Sequence, residues 1–326
     1  MDAKISDPQQ IIALFNHNVG LEHGAIYQYL QHAYAIGDVG VGAEIITIAR
    51  AEMRHMKYFA GIIAELGGVV TLKRPEVRVQ AATIREIMAL GVAAEADAIR
   101  DYTSQLDRID HSGALRVLER VILDEQLHEE QWGTFDAEVS ELALQASYPS
   151  PGPIKDPTLV AILNEAFEEA YNEVLVYLRH FFQSSDWEAK DFLFENGVWK
   201  MRQMGLMADE IHENGADPGF PWRPVPIEGA LSDRISQAIA IEQASVNRYR
   251  RLAGCPVPHE VRSLLQNALG QSVFAQGQME LLRDLNAQEA FSEPGYVPLQ
   301  EEERVPVIPA PSPSFTVGSL LEKPSP

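Results

Sequence analysis

The chain has 326 residues, 46% hydrophobic and 22% charged, enough for one large domain or two ordinary ones with a sizeable core. Its formal net charge of −21 at pH 7 argues against nucleic acid or an anionic membrane as a partner. The single cysteine, Cys255, allows no internal disulfide, and no apolar run is long enough to cross a bilayer. The first residues, MDAKISDPQQ, lack the layout of a signal peptide, so the sequence predicts a cytoplasmic protein.

Helical periodicity of apolar residues runs along the chain, and no segment alternates as a strand would. A first helix is predicted over 8–37, with Asp7 as its N-cap, and a second over 39–66. After an extended stretch, GGVVTLKRPEVRVQ, two more are predicted over 83–109 and 112–146. A short link followed by a long one is the layout of a four-helix bundle with one crossover.

The sequence then begins a second time. A proline-rich segment, SYPSPGPIKDP, breaks the pattern, and KDPTLVAILNEA echoes SDPQQIIALFN near the start. At an offset of 148 residues, MRHMKYFA also aligns with MRQMGLMA. We therefore predict an all-α fold of two tandem four-helix bundles, over residues 1–147 and 156–288, followed by a flexible Pro-rich tail at 289–326.

Two Glu-x-x-His motifs occur in the first bundle. Glu52 and His55 lie one turn apart in the second predicted helix, and Glu125 and His128 repeat the pattern in the fourth. Residues at this spacing share a helix face, and both helices are otherwise amphipathic. One such pair would be typical of a solvated surface, whereas two pairs indicate a common site.

A lone glutamate stands 30 residues before each motif: Glu22 before the first and Glu95 before the second. The spacing of 73 residues between these glutamates also relates the two motifs, and it relates Tyr29 to Tyr102. A solvated face has no reason to keep such a register. The four helices are therefore predicted to direct these groups at one another around an approximate twofold axis.

Four carboxylates without a metal could not all stay ionised in a bundle core. Two divalent cations would offset that charge, with bridging carboxylates and one imidazole on each ion. Ligation by oxygen and imidazole, with no thiolate, favours iron or manganese over a structural zinc site. The sequence thus predicts a dinuclear metal site in the first bundle.

On these motifs the first bundle resembles the bacterioferritin and rubrerythrin branch of the ferritin-like superfamily. The resemblance implies two iron ions, with manganese as an alternative. It also implies six ligands: terminal Glu22 and Glu95, bridging Glu52 and Glu125, and one imidazole per ion from His55 and His128.

Three neighbouring residues carry weaker signals. Tyr29 matches a tyrosine near the di-iron site of bacterioferritins, with a core tyrosine as the alternative, and joins Glu52 and Glu125 as a predicted catalytic residue. Met53 falls where bacterioferritins carry a haem-binding methionine, but methionine is a common gap-filler and we predict no haem. His23 is predicted to lie outside the site, in a second shell or on the surface.

The second bundle is predicted to have lost the site and to serve as a built-in structural partner. Aligned with the six ligands are Ala170, Lys200, Gln203, Glu242, Gln271 and Phe274. Of these, Lys200 is expected to place a cation where a bridging carboxylate would lie, and Phe274 a ring at an imidazole position. Glutamates at 165, 168, 169 and 173 are predicted to form a solvated acidic face.

A short apolar segment, SFTVGSLLEK at 314–323, follows the proline-rich linker. Its Thr-Val-Gly-Ser-Leu motif resembles the C-terminal cargo-loading peptide of encapsulin systems, although Glu322 departs from the usual basic ending. The resemblance implies that this peptide binds the inner wall of an encapsulin shell. The residues expected to make contact are Phe315, Thr316, Val317, Gly318, Ser319, Leu320 and Leu321.

These features predict a di-iron ferroxidase inside an encapsulin nanocompartment, where ferrous iron is oxidised by oxygen or peroxide and the ferric product mineralises. Three alternatives stay open. The first is a peroxide-reducing enzyme of rubrerythrin type or a di-manganese catalase, although no Cys-x-x-Cys pair of a rubredoxin module is present. The second is oxidation of an organic substrate, which needs an apolar channel. The third is a metal-binding cargo protein or scaffold without turnover. Homo-oligomerisation is compatible with all of them.

Overall fold

The computed structural model describes residues 4–36, 40–138, 153–184, 187–225 and 231–292. Its helices are α1 Pro8–Ile36, α2 Val41–Glu65, α3 Ile84–Leu106, α4 Ser112–Glu138, α5 Pro157–Gln183, α6 Trp187–Glu213, α7 Leu231–Ala253 and α8 His259–Ser292. Within these ranges no strand forms, and none of the helices combines the length and apolarity that crossing a bilayer requires. The prediction of an all-α fold is confirmed for this part of the chain.

The helix bounds agree closely with the sequence pattern. The predictions over 8–37, 39–66 and 83–109 are confirmed to within three residues at each end, and α4 starts at residue 112 as predicted. Asp7 caps α1, accepting a hydrogen bond from the backbone N–H of Gln9 at 3.3 Å. Asp156 does the same at the start of α5, where its carboxylate accepts from two backbone N–H groups. Both repeats thus begin with an Asp-Pro cap.

The first four helices pack as two antiparallel pairs. Helix α1 lies along α2 and α3 along α4, while α2 contacts α4 and α1 contacts α3. Aromatic rings fill the centre: Phe59 packs edge-on against Phe15, with ring centroids 5.3 Å apart, and lies 5.2 Å from Tyr102. These contacts fix the faces of α1, α2 and α3 that point inward.

The crossover between α2 and α3 is held against α1. The Asn16 side chain donates to Val69 O at 3.0 Å and accepts from Thr71 N at 2.7 Å. Further along, a Cβ on Gly20 would lie 2.9 Å from Lys73 O, so the crossover can come this close only to a glycine. The long link is therefore an ordered strap over the bundle.

The second set of helices shares features of this construction. Helix α5 packs along α6 and also contacts α7. Asn164 accepts a hydrogen bond from Gly219 N at 3.0 Å, and both residues lie 148 positions after the pair formed by Asn16 and Thr71. The repeat seen in the sequence therefore has a structural counterpart. Most of the linker predicted between residues 147 and 156 falls outside the described ranges, so the domain boundaries stay a prediction.

The two repeats associate around an approximate twofold axis. His23 Nε2 lies 2.6 Å from the hydroxyl of Tyr171, the residue 148 positions later, and only residues on such an axis contact their own equivalents. Further hydrogen bonds run between the repeats in both directions: Gln31 of α1 donates to Pro218 O, and Gln183 of α5 donates to Gly68 O. His23 lies outside the ligand groups, as predicted, but the surface position was wrong, because this histidine is buried between the repeats.

Candidate metal centre

Six side chains predicted as metal ligands converge in the middle of the first four helices. Helix α1 supplies Glu22, α3 supplies Glu95, and α2 and α4 each supply one Glu-x-x-His pair. Their potential ligand atoms form two overlapping groups: Glu22, Glu52, His55 and Glu125, and Glu52, Glu95, Glu125 and His128. Within each group the atoms lie within 4.8 Å of one another. Only Glu52 and Glu125 belong to both groups, which is the position required of bridging ligands.

The two imidazoles direct the same ring nitrogen into the cluster. His55 Nδ1 lies 2.8 Å from Glu52 Oε2, 3.2 Å from Glu125 Oε1 and 3.8 Å from Glu22 Oε2. His128 Nδ1 lies 3.0 Å from Glu125 Oε2 and 3.0 Å from Glu52 Oε1. The rings stack with centroids 5.6 Å apart. Each histidine therefore faces both shared carboxylates.

Two buried tyrosines orient the outer carboxylates. Tyr102 donates to Glu22 Oε1 at 2.6 Å, and Tyr29 donates to Glu95 Oε1 at 2.7 Å, so each hydroxyl serves a glutamate on another helix. Glu95 Oε1 also accepts from the indole of Trp132 at 3.2 Å. Trp132 was missed in the sequence, although it lies one turn after His128 on the same helix face.

A glycine lets this tryptophan reach its place. A Cβ on Gly91 would lie 2.3 Å from Trp132 Cδ2, a distance at which no side chain fits. The indole therefore rests directly on the backbone of α3, next to Glu95 on the same helix. This packing fixes the direction of the Trp132 N–H and, with it, the position of Glu95.

Burial and mutual repulsion act strongly on the outer carboxylates. Burial raises the pKa of Glu22 well above its ordinary value, and the charge of Glu125 raises it further. Burial likewise raises the pKa of Glu95, together with the charges of Glu52 and Glu125. Without metal these shifts favour the protonated forms of the two outer carboxylates, because four adjacent buried carboxylates cannot all ionise.

The pKa values of the central carboxyl group and of the two histidines shift toward the ionised forms. Burial alone would raise the pKa of Glu52, but the close approach of His128 and His55 outweighs burial and lowers the pKa to about 2. Burial would lower the pKa of His128, yet its contacts with Glu125 and Glu52 raise it to about 9. The pKa of His55 is raised in the same way. In the metal-free protein two imidazolium ions thus supply the positive charge.

Protons alone satisfy this cluster incompletely. Each Nδ1 carries a single hydrogen but faces two or more carboxylate oxygens, so it cannot donate to all of them with good hydrogen-bond geometry. Glu52 Oε1 is buried and has no aligned donor among the described residues, although His128 Nδ1 is only 3.0 Å away. A divalent ion can contact several oxygens and an imidazole at once, so the donor set fits two such ions better than it fits protons.

A cavity of about 550 Å³ opens onto the cluster between α1, α3 and the crossover. The four glutamates and both tyrosines form its floor. Its walls are mainly apolar and include Leu21, Ala25, Val77, Leu90, Ala94 and Ala98. Gln28 also lines it, is 6% exposed and forms no hydrogen bond with the described residues. The cluster is therefore buried but accessible from one side.

Comparison with known proteins agrees with this geometry. A sequence model of the ferritin-like domain matches residues 12–135. The bacterioferritin of Desulfovibrio desulfuricans (strain ATCC 27774 / DSM 6949 / MB) is 31% identical over 125 residues, which span 36% of this chain and 70% of that protein. The chain belongs to the ferritin-like family. The match covers α1 to α4, the helices that carry all six groups.

Two solved structures of the bacterioferritin BfrA from Mycobacterium tuberculosis are also similar. Each is 22% identical to this chain with a TM-score of 0.38. The matches cover 43% and 44% of this chain and 94% and 93% of BfrA.

The core of the second repeat contains a lysine, Lys200, at the position aligned with Glu52. Lys200 Nζ lies 2.8 Å from Glu173 Oε2, 3.0 Å from Glu242 Oε2 and 3.0 Å from Ser272 Oγ. All of these groups are buried. Tyr177 donates to Glu242, just as Tyr29 donates to Glu95 in the first repeat. The prediction that Lys200 places a cation in this core is confirmed.

The alignment of the last helix was wrong by one residue. The predicted equivalents of Glu125 and His128 were Gln271 and Phe274, but Phe274 is 60% exposed and fills no imidazole position. At this level of α8 the buried residues are Ser272 and Ala275. Their offset from the first repeat is 147 residues, the same as that between Glu95 and Glu242.

The acidic run of α5 also differs from its prediction. Glu173 is buried, pairs with Lys200 and lies 2.8 Å from an Arg248 nitrogen. Nearer the surface, Glu169 pairs with Arg223 and Arg248, and Glu165 pairs with Arg251. The run was predicted as a solvated acidic face, whereas most of its carboxylates are matched by cations from α7 and the second crossover.

Metal binding to the first repeat should release protons. Without metal His128 has a pKa of about 9, so at pH 7 it holds a proton that an ion bound to Nδ1 must displace. The pKa values of Glu22 and Glu95 are also raised, which favours their protonated forms. Affinity should therefore rise with pH up to about 9. Calorimetry of Co²⁺ binding in two buffers of different ionisation enthalpy would give the number of protons. The His128→Ala variant should release fewer, and zero release at pH 7 in the unmodified chain would contradict the assignment.

The raised pKa of His128 also affects the stability of the metal-free protein. The contribution of His128 to stability is fully present below its ordinary pKa of 6.5 and is lost as the pH rises through about 9. Since bound metal replaces the proton, this loss should be seen only after the metal is removed.

Removing the buried lysine should destabilise the protein. In Lys200→Met the Glu242 carboxylate loses its cation while staying buried, which typically costs about 3–5 kcal/mol. Denaturant unfolding would measure this change. Adding Glu242→Gln should recover part of the loss, because the amide needs no counter-charge, and the exposed Lys73→Met should have little effect. A Lys200→Met variant as stable as the parent would show that the ion pairs contribute nothing.

Proposed function

We propose that this chain oxidises ferrous iron at a dinuclear centre in its first four helices. The observation that carries the proposal is the sharing of Glu52 and Glu125 between two candidate metal groups, each completed by one further glutamate and one histidine. Two ions bound this way are held next to each other by the same carboxylates. Membership of the ferritin-like family and the similarity to a bacterioferritin support iron as the metal, with manganese as the alternative.

In this proposal the two ferrous ions are substrates. Each gives one electron to dioxygen, which takes up two protons and leaves as hydrogen peroxide, while the ferric ions depart as product. Peroxide could take the place of dioxygen as the oxidant. The chain has to bind both ions side by side, limit the access of water and keep its ligands in place while the charge on the ions changes.

Each of these tasks has a structural basis. Glu52 and Glu125 would hold the pair, and His55 and His128 would bind one ion each. Burial and then the charge of Glu95 raise the pKa of Tyr29 well above the ordinary value, which favours the phenol. Its hydroxyl would orient Glu95 by the hydrogen bond that it donates. The cavity between α1 and α3 would admit both iron and oxidant.

A second candidate function is the oxidation of a small organic molecule at the same centre. The observation in its favour is the apolar wall of the cavity, which is larger than ions and dioxygen need. Gln28 could hold a polar group of such a molecule, because its side chain lines the cavity and makes no hydrogen bond with the described residues. This reaction would require a separate reductant as well as oxygen.

Ferrous iron added to the metal-free chain without oxygen, followed by oxygen, tests the proposal. We expect about two ferrous ions bound per chain, oxidised together and released as ferric product. Glu52→Ala and Glu125→Ala should each abolish the paired oxidation, because each removes a carboxylate shared by both groups. The exposed Glu130→Ala on α4 is the matched control and should leave the rate unchanged.

Two outcomes would contradict ferroxidase function. Retention of about two tightly bound ions in Glu52→Ala would exclude the bridging role of this residue. Iron that stays bound after oxidation and turns over only when an organic substrate and a reductant are added would favour the second candidate.

We also propose that the protein is carried inside an encapsulin shell in the cytoplasm. The proposal rests on the resemblance of the segment Thr316, Val317, Gly318, Ser319 and Leu320 to a cargo-loading peptide. This segment and its flanking Phe315 and Leu321 lie outside the described residues. In such a complex each peptide contact would be weak, and retention would come from many tails facing one shell.

Deleting residues 315–326 should abolish packaging without changing the chemistry. We expect unchanged iron binding and oxidation, but loss of co-purification with a co-expressed shell protein. Val317→Asp combined with Leu320→Asp should act like the deletion, because it puts charges where apolar pockets are expected. Ser325→Asp adds a charge outside the motif and should be packaged normally. Full packaging of the truncated chain would refute the targeting role.

A further inference from the structure

The approximate twofold symmetry of the metal centre is broken beside one of its histidines. The four glutamates, the two histidines and the two tyrosines of the cluster form pairs of the same residue type 73 positions apart. Asp124 precedes the second Glu-x-x-His motif, whereas the equivalent position before the first motif is Ala51. The inference below rests on the proposed dinuclear centre and concerns the inequality of its two halves.

Asp124 lies against Nε2 of His55, the ring nitrogen that points away from the cluster. With Nδ1 of His55 facing the shared carboxylates, its Nε2 lies 3.4 Å from Asp124 Oδ2. The same oxygen accepts a hydrogen bond from Arg120 Nε at 3.0 Å, which holds the carboxylate in place. The imidazole is thus held between two sets of carboxylates, one on the metal side and one behind it.

His128 lacks such a support. Its Nδ1 also faces the shared carboxylates, but no group within the described residues makes a hydrogen bond to its Nε2. The methyl group of Ala51, which is buried, offers no acceptor at the equivalent position. His128 is also somewhat more exposed, at 7% against 1% for His55.

We propose that the two metal positions are unequal and that the position served by His55 fills first, with Asp124 as its positioning residue. A carboxylate that accepts the outer N–H of a ligating histidine fixes the tautomer with a free inner nitrogen and makes that nitrogen more basic. Loss of such a partner typically weakens metal affinity by about 10- to 100-fold. The His128 position, which has no such partner, should bind more weakly by a factor of that order.

Titration of the metal-free full-length chain with Co²⁺, followed by visible absorption and calorimetry, tests this without relying on turnover. We expect two steps whose affinities differ by about 10- to 100-fold. Asp124→Ala should weaken the tight step by a similar factor and bring the two steps together. Glu119→Gln, on the exposed side of the same helix, also removes one negative charge and should leave both steps unchanged.

Two further variants assign the steps to positions. His55→Ala should remove the tight step, and His128→Ala should remove the weak one while keeping the tight one. Ala51→Asp places an acceptor at the position equivalent to Asp124 and should strengthen the weak step. If that variant does not fold, the two histidine variants still decide the order of filling.

Two equal steps in the unmodified chain, a tight step that survives His55→Ala, or a tight step unchanged in Asp124→Ala would each overturn the inference. These outcomes are independent of the proposed reaction. Unequal Co²⁺ binding without iron oxidation would refute the ferroxidase proposal alone, and iron oxidation with equal Co²⁺ steps would refute this inference alone.

Discussion

The need to balance buried negative charge governs the core of each repeat. In the first, four glutamates lie within one bundle core, where their carboxylates are shielded from water and repel one another. Without metal, the raised pKa values of Glu22, Glu95 and the two histidines favour proton uptake, which offsets this charge. A buried oxygen of Glu52 still has no aligned donor among the described residues, which is the physical reason to expect cations there.

The second repeat meets the same constraint without metal. Its lysine lies between two buried glutamates, and burial, which alone would lower the pKa of Lys200, is outweighed by the charges of Glu173 and Glu242. The tyrosine that orients a carboxylate is kept in both repeats, as Tyr29 and Tyr177. One scaffold thus carries either a centre that ions can enter or a permanent internal ion pair.

Association of the repeats places these two cores in one compact unit. The axis passes beside His23 and Tyr171, and each crossover accepts hydrogen bonds from the other repeat. His23 Nδ1 also lies 2.6 Å from Leu72 O on the first crossover. The repeat that lacks the carboxylate cluster therefore supports the strap that borders the cavity of the first.

The sequence alone determined the helices, the repeat and all six groups of the cluster, because the spacing of three residues within each motif and of 73 between motifs fixes which residues share a helix face. Tertiary packing decided which glutamate each tyrosine contacts, how Trp132 reaches Glu95, and why His23 is buried. It also decided the register of α8, where an alignment shifted by one residue turns the chosen side chains by about 100° around the helix. Such choices depend on the distances between helices that are remote in the chain, which no local pattern specifies.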